Sequence, residues 1–250
     1  MSKYLNSHSA RRQGGFTMVE LAIVLVIAGI ILTGALKGTD MINKARIERV
    51  AADLKGLQGM LLEHEKRTGR LPGDCNENGI VEFTAFTASA IDNNAFGYNV
   101  DPDPDAAGRC DTFATNEADD ANRVWSDLRK ANIVDPSRTN INLTRHTLSD
   151  FYAAGSINST VTGSPVNTIV AYGLPLWLAK GIDVALDGPQ TQPGDELLGG
   201  ARGRVRLYGL EDGTVTQDGA PWPTDATGGG DYQFVSVTFQ FDTRMSQPVL

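Results

Sequence analysis

Residues 16–36 read FTMVELAIVLVIAGIILTGAL, an apolar run of 21 residues in which Glu20 is the only charged side chain. As an α-helix, such a run extends about 31 Å at ~1.5 Å per residue, which is roughly the thickness of the hydrocarbon core of a bilayer. The sequence therefore predicts a helix that is able to cross a membrane. A carboxylate inside lipid is costly, so Glu20 is expected to have a function and a partner of opposite charge.

Charges on the two sides of this run predict how the chain is oriented. Residues 1–15 contain three basic residues, Lys3, Arg11 and Arg12, and no acidic residue. Because cytoplasmic flanks of membrane helices are rich in Lys and Arg, we expect this leader in the cytoplasm and the rest of the chain beyond the membrane.

A secretory signal peptide is the alternative interpretation of this segment. A signal peptide has a shorter apolar region, with a cleavage site of small residues after it. Here the small pair Gly14-Gly15 precedes the apolar run. Cleavage at this pair would therefore remove the basic leader and keep the hydrophobic helix.

Residues 14–21, GGFTMVEL, resemble the prepilin cleavage and methylation motif of type IV pilins and type II secretion pseudopilins. The resemblance implies that prepilin peptidase cleaves between Gly15 and Phe16 and N-methylates the new Phe16 amine. It also implies that Glu20 pairs with the N-terminal amine of a neighbouring subunit during filament assembly. Such a pair is physically reasonable, because in lipid each charge offsets the desolvation cost of the other.

Lys37 is one departure from the pattern of the family. Many major pilins carry a proline at the corresponding place in the second half of the apolar helix. Lys37 stands there in this sequence, which favours a minor or pseudopilin-like subunit over a major one.

An amphipathic pattern continues the helix beyond the membrane. Apolar residues recur at spacings of three and four and therefore lie on one helical face, namely Ile47, Val50, Leu54, Leu57 and Leu61. Gly69 and Pro72 predict the stop of this helix, so that it extends from about Phe16 to about Arg67. The chain is thus divided into a removed leader (1–15), a hydrophobic helix (16–37), an amphipathic stem (38–67) and an acidic exported head (68–250).

The head is predicted to be of mixed secondary structure. Helices are expected over residues 118–132 and 177–186, and strands over 166–172, 204–208 and 232–241. In the last strand, Tyr232, Phe234, Val237 and Phe239 are the bulky positions, with one break in phase. A long helix followed by C-terminal antiparallel strands with long loops predicts an α+β fold, as the resemblance to pilins also implies.

The head contains both cysteines of the chain, Cys75 and Cys110. An even number of cysteines outside the cytoplasm favours a disulfide between them. Two free thiols, or a metal held by the pair, are the alternatives. A metal site would require further Cys or His residues nearby, and the sequence offers none there.

A second candidate for ligand binding is the segment Asp74 to Gly79, which reads DCNENG and fits the first half of a calcium loop. The expected ligands are Asp74, Asn76, Asn78, the Ile80 carbonyl and Glu82. The bidentate Glu of a complete EF-hand is replaced by Ala85. A pair of tight turns is the alternative, because Asn-Gly and Pro-Gly sequences favour turns without any ligand. No cofactor is otherwise required.

Three functions compete for this sequence. The first is a structural pilin or pseudopilin subunit, whose partners are prepilin peptidase and other pilin or pseudopilin subunits. Such a subunit lies in the inner membrane, with its head in the periplasm, before it joins a filament. The second is a binding module at the filament tip, with Trp177, Trp222 and Tyr232 as contact residues; exposure of Trp222 would favour it, and burial would favour a scaffold.

The third function, an enzyme, is disfavoured because the sequence lacks nucleophile-elbow, P-loop and dinucleotide-binding motifs. His64 and His146 are interpreted as surface or packing residues. Direct nucleic-acid binding is not expected either, since residues 68–250 carry 12 basic and 24 acidic side chains. Arg202, Arg204 and Arg206 form the only basic cluster of the head.

Overall fold

The computed structural model describes residues 15, 17–75, 77–81, 122–148, 150–158, 164–189, 203–210, 220–223 and 234–241. The chain divides into two compact units, Met1–Asn43 and Lys44–Leu250. One helix, α1, runs from Met18 to Thr68 and contributes residues to both units. This continuous helix of 51 residues confirms the helix that the apolar and amphipathic patterns predict.

In the N-terminal unit, the apolar side chains of α1 are exposed. Val24, Ile30 and Leu36 keep between 62% and 68% of their surface accessible, and Met18 keeps 93%. The helix is long and apolar enough to cross a membrane. Apolar surface of this extent is unfavourable in water, so it requires lipid or another protein around it.

In the C-terminal unit, the stem part of α1 contributes a stripe to the hydrophobic core. Val50, Leu54, Leu57 and Leu61 are buried, and Ile47 is packed against the same core. Full burial of one such side chain stabilises the fold by about 1.5–3 kcal/mol. The helix ends where Gly69 adopts φ +85° and donates its N–H to the Glu65 carbonyl at 2.8 Å, a left-handed conformation that glycine accepts without steric cost.

The head is built on a four-stranded antiparallel sheet. Its helices and strands follow α1 in the order α2 (Asn122–Lys130), α3 (Asn140–Thr144), β1 (Tyr152–Asn158), β2 (Pro165–Pro175), α4 (Leu176–Asp187), β3 (Val205–Leu210) and β4 (Phe234–Gln240). The strand order in the sheet is β1-β2-β4-β3. Residues of all four strands, of α4 and of the stem form one core cluster, so the predicted α+β architecture is confirmed.

The elements of the head differ in detail from those that the sequence predicts. The three predicted strands correspond to β2, β3 and β4, of which β2 and β3 extend beyond the predicted segments, and the phase of β4 differs. Val235, Val237 and Phe239 point into the core, whereas Phe234 is 39% exposed, and Tyr232 lies outside the described residues. Neither β1 nor α3 was predicted. Strand β1 is rich in Ala, Gly and Ser and lacks the alternation of bulky residues that is typical of a strand.

A bulge in β2 depends on a glycine. The register with β4 shifts between Ala171 and Leu174, and Gly173 lies inside this irregularity with φ +60°. A Cβ atom at this position would collide with the carboxylate of Asp150. Both the left-handed backbone and the close approach of Asp150 therefore require glycine here.

Candidate processing and assembly site

Thr17 and Glu20 form a capping box at the start of α1. The Glu20 N–H donates to Thr17 Oγ1 at 3.2 Å, and the Thr17 N–H donates to Glu20 Oε2 at 3.0 Å. The Thr17 hydroxyl also donates to Oε2, at 2.9 Å. Two backbone N–H groups that have no partner inside the helix are thereby satisfied.

This arrangement fixes the position of the Glu20 carboxylate. Among the described residues, all hydrogen bonds to the carboxylate reach Oε2 and none reaches Oε1. The carboxylate also lies in the first turn, where the helix dipole favours negative charge. This role of Thr17 was not predicted, although the spacing T-x-x-E is the signature of a capping box.

Gly15 lies just before the helix, and its surroundings are open. It is exposed, and nothing lies within 4 Å of the position that a Cβ atom would take. Phe16 and the leader lie outside the described residues. Gly15 therefore precedes Met18, the first residue of the capped helix α1.

An apolar groove runs along the helix from the capping box. It is lined by Met18, Val19, Ala22, Ile23, Val26 and Ile27. The small side chain of Ala22 lies between larger neighbours, which leaves room for a side chain from another helix. Glu20 and this groove belong to the same first turns of α1.

The remaining predicted site residues lie in the head, in the segment that follows the stem. Asp74 is 2% exposed, and its carboxylate accepts the N–H groups of Asn78 at 3.2 Å and Gly79 at 2.9 Å. Asn78 Oδ1 accepts the Ile80 N–H at 2.7 Å. These side chains thus cap the turns of the segment, as the alternative interpretation expects. Asn76 and Glu82 lie outside the described residues, so calcium binding stays a prediction.

The predicted cysteine pair is only partly described. Cys75 is half-buried directly after Asp74, and Cys110 lies outside the described residues. The Cys75–Cys110 disulfide therefore stays a prediction as well.

An ion pair holds the same segment against α2. Arg70 Nη1 lies 3.0 Å from Asp127 Oδ2, and the side chains of both residues are largely buried. The Gly73 N–H donates to the same carboxylate oxygen at 2.9 Å, and Arg70 also donates to the Asp74 carbonyl at 2.9 Å. The exit from the stem is thereby tied to α2 by charge-assisted hydrogen bonds.

The Arg204 side chain contacts residues of the stem and of the sheet. Its guanidinium lies 4.5 Å from the centroid of the Phe239 ring and donates to Gln58 Oε1 at 3.1 Å and to the Gln240 carbonyl at 3.1 Å. Arg202 lies outside the described residues. Arg204 therefore connects the stem to the sheet, whereas Arg206 donates to the Gly203 carbonyl at 2.9 Å.

Neither of the two candidate contact aromatics that the structure describes is fully exposed. Trp222 is 2% exposed, and its indole N–H donates to Asp183 at 3.4 Å. Trp177 is half-buried against the core, and Tyr232 lies outside the described residues. Burial of Trp222 favours the scaffold over the binding module.

His64 on the stem and His146 in the head are both buried. His64 and His146 are 2% and 3% exposed, and burial lowers the pKa of each imidazole below its usual range, although backbone carbonyls and nearby carboxylates act in the opposite direction. Of the two predicted alternatives, surface or packing residues, both histidines are packing residues.

The long N-terminal helix and the four-stranded antiparallel sheet define the pilin-like class of α+β proteins. Residues 10–36 match the family model described as the prokaryotic N-terminal methylation motif, which is the signature of type IV pilin and pseudopilin prepilin-type proteins. Comparison with curated proteins and with solved structures finds no significant match.

The motif implies processing by prepilin peptidase and assembly with other pilin subunits. It indicates a structural subunit rather than an enzyme. Among the described residues, one helix near the N-terminus is long and apolar enough to span a membrane, which is consistent with a single-pass membrane protein.

Proposed function

We propose that this chain is a minor structural subunit of a type IV filament-like assembly, either a pilus or a type II secretion pseudopilus. The main support for this proposal is the capped carboxylate of Glu20, which lies within the methylation motif at the start of an exposed apolar helix. The head would reside in the periplasm before assembly, and the leader in the cytoplasm.

Processing would create a positively charged partner for Glu20. Cleavage between Gly15 and Phe16 leaves a positively charged amine on Phe16, one residue before the capping Thr17. N-methylation keeps this charge, since a secondary amine is also protonated at neutral pH. In lipid, pairing of this ammonium with the Glu20 carboxylate of a neighbouring subunit would lower the desolvation cost of both groups.

The capping box would make Glu20 acceptable in the membrane before a neighbour arrives. Oε2 is already satisfied by Thr17, whose N–H and hydroxyl both donate to it. Oε1 faces no donor among the described residues, so it is the oxygen that would accept the incoming amine. The apolar groove beside Glu20 would then receive side chains from the neighbouring helix.

The proposal is tested by Glu20→Gln, which retains hydrogen-bonding atoms and removes the charge. Cleavage of the leader is expected to stay normal, whereas incorporation into sheared filaments is expected to fall at least tenfold, because the ammonium of the neighbour has no counter-charge. Immunoblots of membrane and filament fractions separate the two readouts.

Glu48→Gln is the matched control. Glu48 is a carboxylate on the same helix with a side chain that is 67% exposed and lies 3.9 Å from Lys44. Because exposed pairs of this kind contribute little, both cleavage and incorporation should remain as in the wild type. Normal incorporation of the Glu20→Gln subunit would contradict the proposal.

A further inference from the structure

His146 is buried at the start of the turn that leads into β1. Its Nε2 lies 2.7 Å from the Tyr172 carbonyl oxygen on β2, and the Leu148 N–H donates to its Nδ1 at 3.2 Å. A carbonyl oxygen only accepts and an amide N–H only donates. The ring is therefore neutral, with its proton on Nε2 and its lone pair on Nδ1 in use.

This turn connects His146 to the contact between β1 and the stem. The His146 N–H donates to the Asp150 carbonyl at 2.9 Å and closes the turn. The imidazole lies 5.2 Å from the ring of Tyr152, the first residue of β1. The Tyr152 hydroxyl in turn donates to Asp53 Oδ2 on α1 at 3.3 Å. Displacement of the turn would therefore move the residue that attaches β1 to the stem.

Charged groups of both signs surround the ring. Asp150 on the turn and Asp53 on α1 favour the protonated imidazole. Arg49 on α1, which lies 3.2 Å from Asp53, and Arg145 before the turn, whose guanidinium lies 5.7 Å from the Phe151 ring centroid, carry the opposite charge. Tyr152 stays protonated and neutral, since burial raises the pKa of its phenol well above the usual range. The loss of hydration on burial outweighs the two carboxylates and lowers the pKa of His146.

We propose that His146 is a proton-sensitive latch that holds the Leu148 amide at neutral pH and releases it in acid. Protonation of Nδ1 would place an N–H donor against the Leu148 N–H donor, so the bond from the Leu148 N–H to Nδ1 would be lost and two donors would face each other. The imidazolium could be hydrated only if the turn opens. Tyr152 would then loosen from Asp53, and the sheet would be less firmly attached to the stem.

The test measures hydrogen exchange of the Leu148 amide together with titration of the His146 ring by NMR, on the full chain in detergent micelles. The protection factor of Leu148, which corrects for the intrinsic pH dependence of exchange, is expected to fall at least tenfold between pH 7.5 and pH 5.0. The midpoint of this fall should coincide with that of the His146 ring. A constant protection factor, or two separate midpoints, would overturn the proposal.

Two variants distinguish the effect of His146 from that of His64, which is also buried. His146→Gln can still donate to the Tyr172 carbonyl but does not titrate, so its Leu148 protection is expected to stay constant over this pH range. His64→Gln removes the other titrating ring, which contacts Arg70 rather than the turn, and should leave the wild-type fall unchanged. An equal fall in His146→Gln and wild type would contradict the latch; if His146→Gln does not fold, the two wild-type midpoints decide.

Discussion

Asp127 shows how burial changes the contribution of a carboxylate to the stability of the fold. The Arg70–Asp127 and Arg67–Glu63 pairs have similar separations, 3.0 Å and 2.8 Å, but the Asp127 side chain is 9% exposed and the Glu63 side chain is 43% exposed. Loss of a partner in a buried pair leaves an uncompensated charge. In an exposed pair, water replaces the lost partner at little cost.

We therefore expect Asp127→Ala to lower the free energy of unfolding by about 2–4 kcal/mol. The variant removes both the counter-charge of the Arg70 guanidinium and the acceptor of the Gly73 N–H. Glu63→Ala should cost less than about 1 kcal/mol. Denaturant unfolding of the full chain in micelles, followed by tryptophan fluorescence, measures both changes. Equal losses in the two variants would show that the Asp127 contacts do not hold the stem exit against α2.

Individual elements show where sequence patterns succeed. The apolar run and the three-and-four spacing of Val50, Leu54 and Leu57 predict α1, because they depend only on helical periodicity. Strand β1 escapes prediction, since its burial comes from long-range pairing with β2 and not from bulky residues of its own. The capping role of Thr17 is readable from its spacing to Glu20, whereas the Arg70–Asp127 pair, separated by 57 residues, is not.

Glycines within these elements lead to opposite predictions. Gly173→Ala should destabilise the head by about 1–3 kcal/mol, because alanine is strained at φ +60° and its Cβ would meet Asp150. Gly59→Ala should be neutral or stabilising by up to about 1 kcal/mol, since Gly59 lies in α1 with open space around it. Thermal unfolding of the two variants compares them directly, and a stabilised Gly173→Ala chain would contradict the account of the bulge.

At the scale of the whole molecule, the two buried histidines predict how stability depends on pH. Burial lowers the pKa of both His64 and His146 in the folded chain, below the 6.5 that applies to the unfolded chain. Below pH 6.5 the unfolded chain therefore binds more protons than the folded chain, and stability declines as the pH falls.

We expect the midpoint of thermal unfolding to fall when the pH is lowered from 7.5 through 6.5 to 5.0, and the fall to be smaller in a chain that carries both His64→Gln and His146→Gln. Scanning calorimetry in micelles at matched ionic strength measures this difference. A steeper fall in the double variant than in the wild type would show that other groups dominate the acid response.

The central claim is that this chain is a processed subunit that joins a filament through its N-terminal helix. The most direct test is the intact mass of the chain recovered from native membranes and from sheared filaments, with and without reductant and alkylation. We predict a chain that starts at N-methylated Phe16 and, without reductant, lacks the two hydrogens lost in a Cys75–Cys110 disulfide. An uncleaved chain that starts at Met1, in cells that contain active prepilin peptidase, would contradict the account.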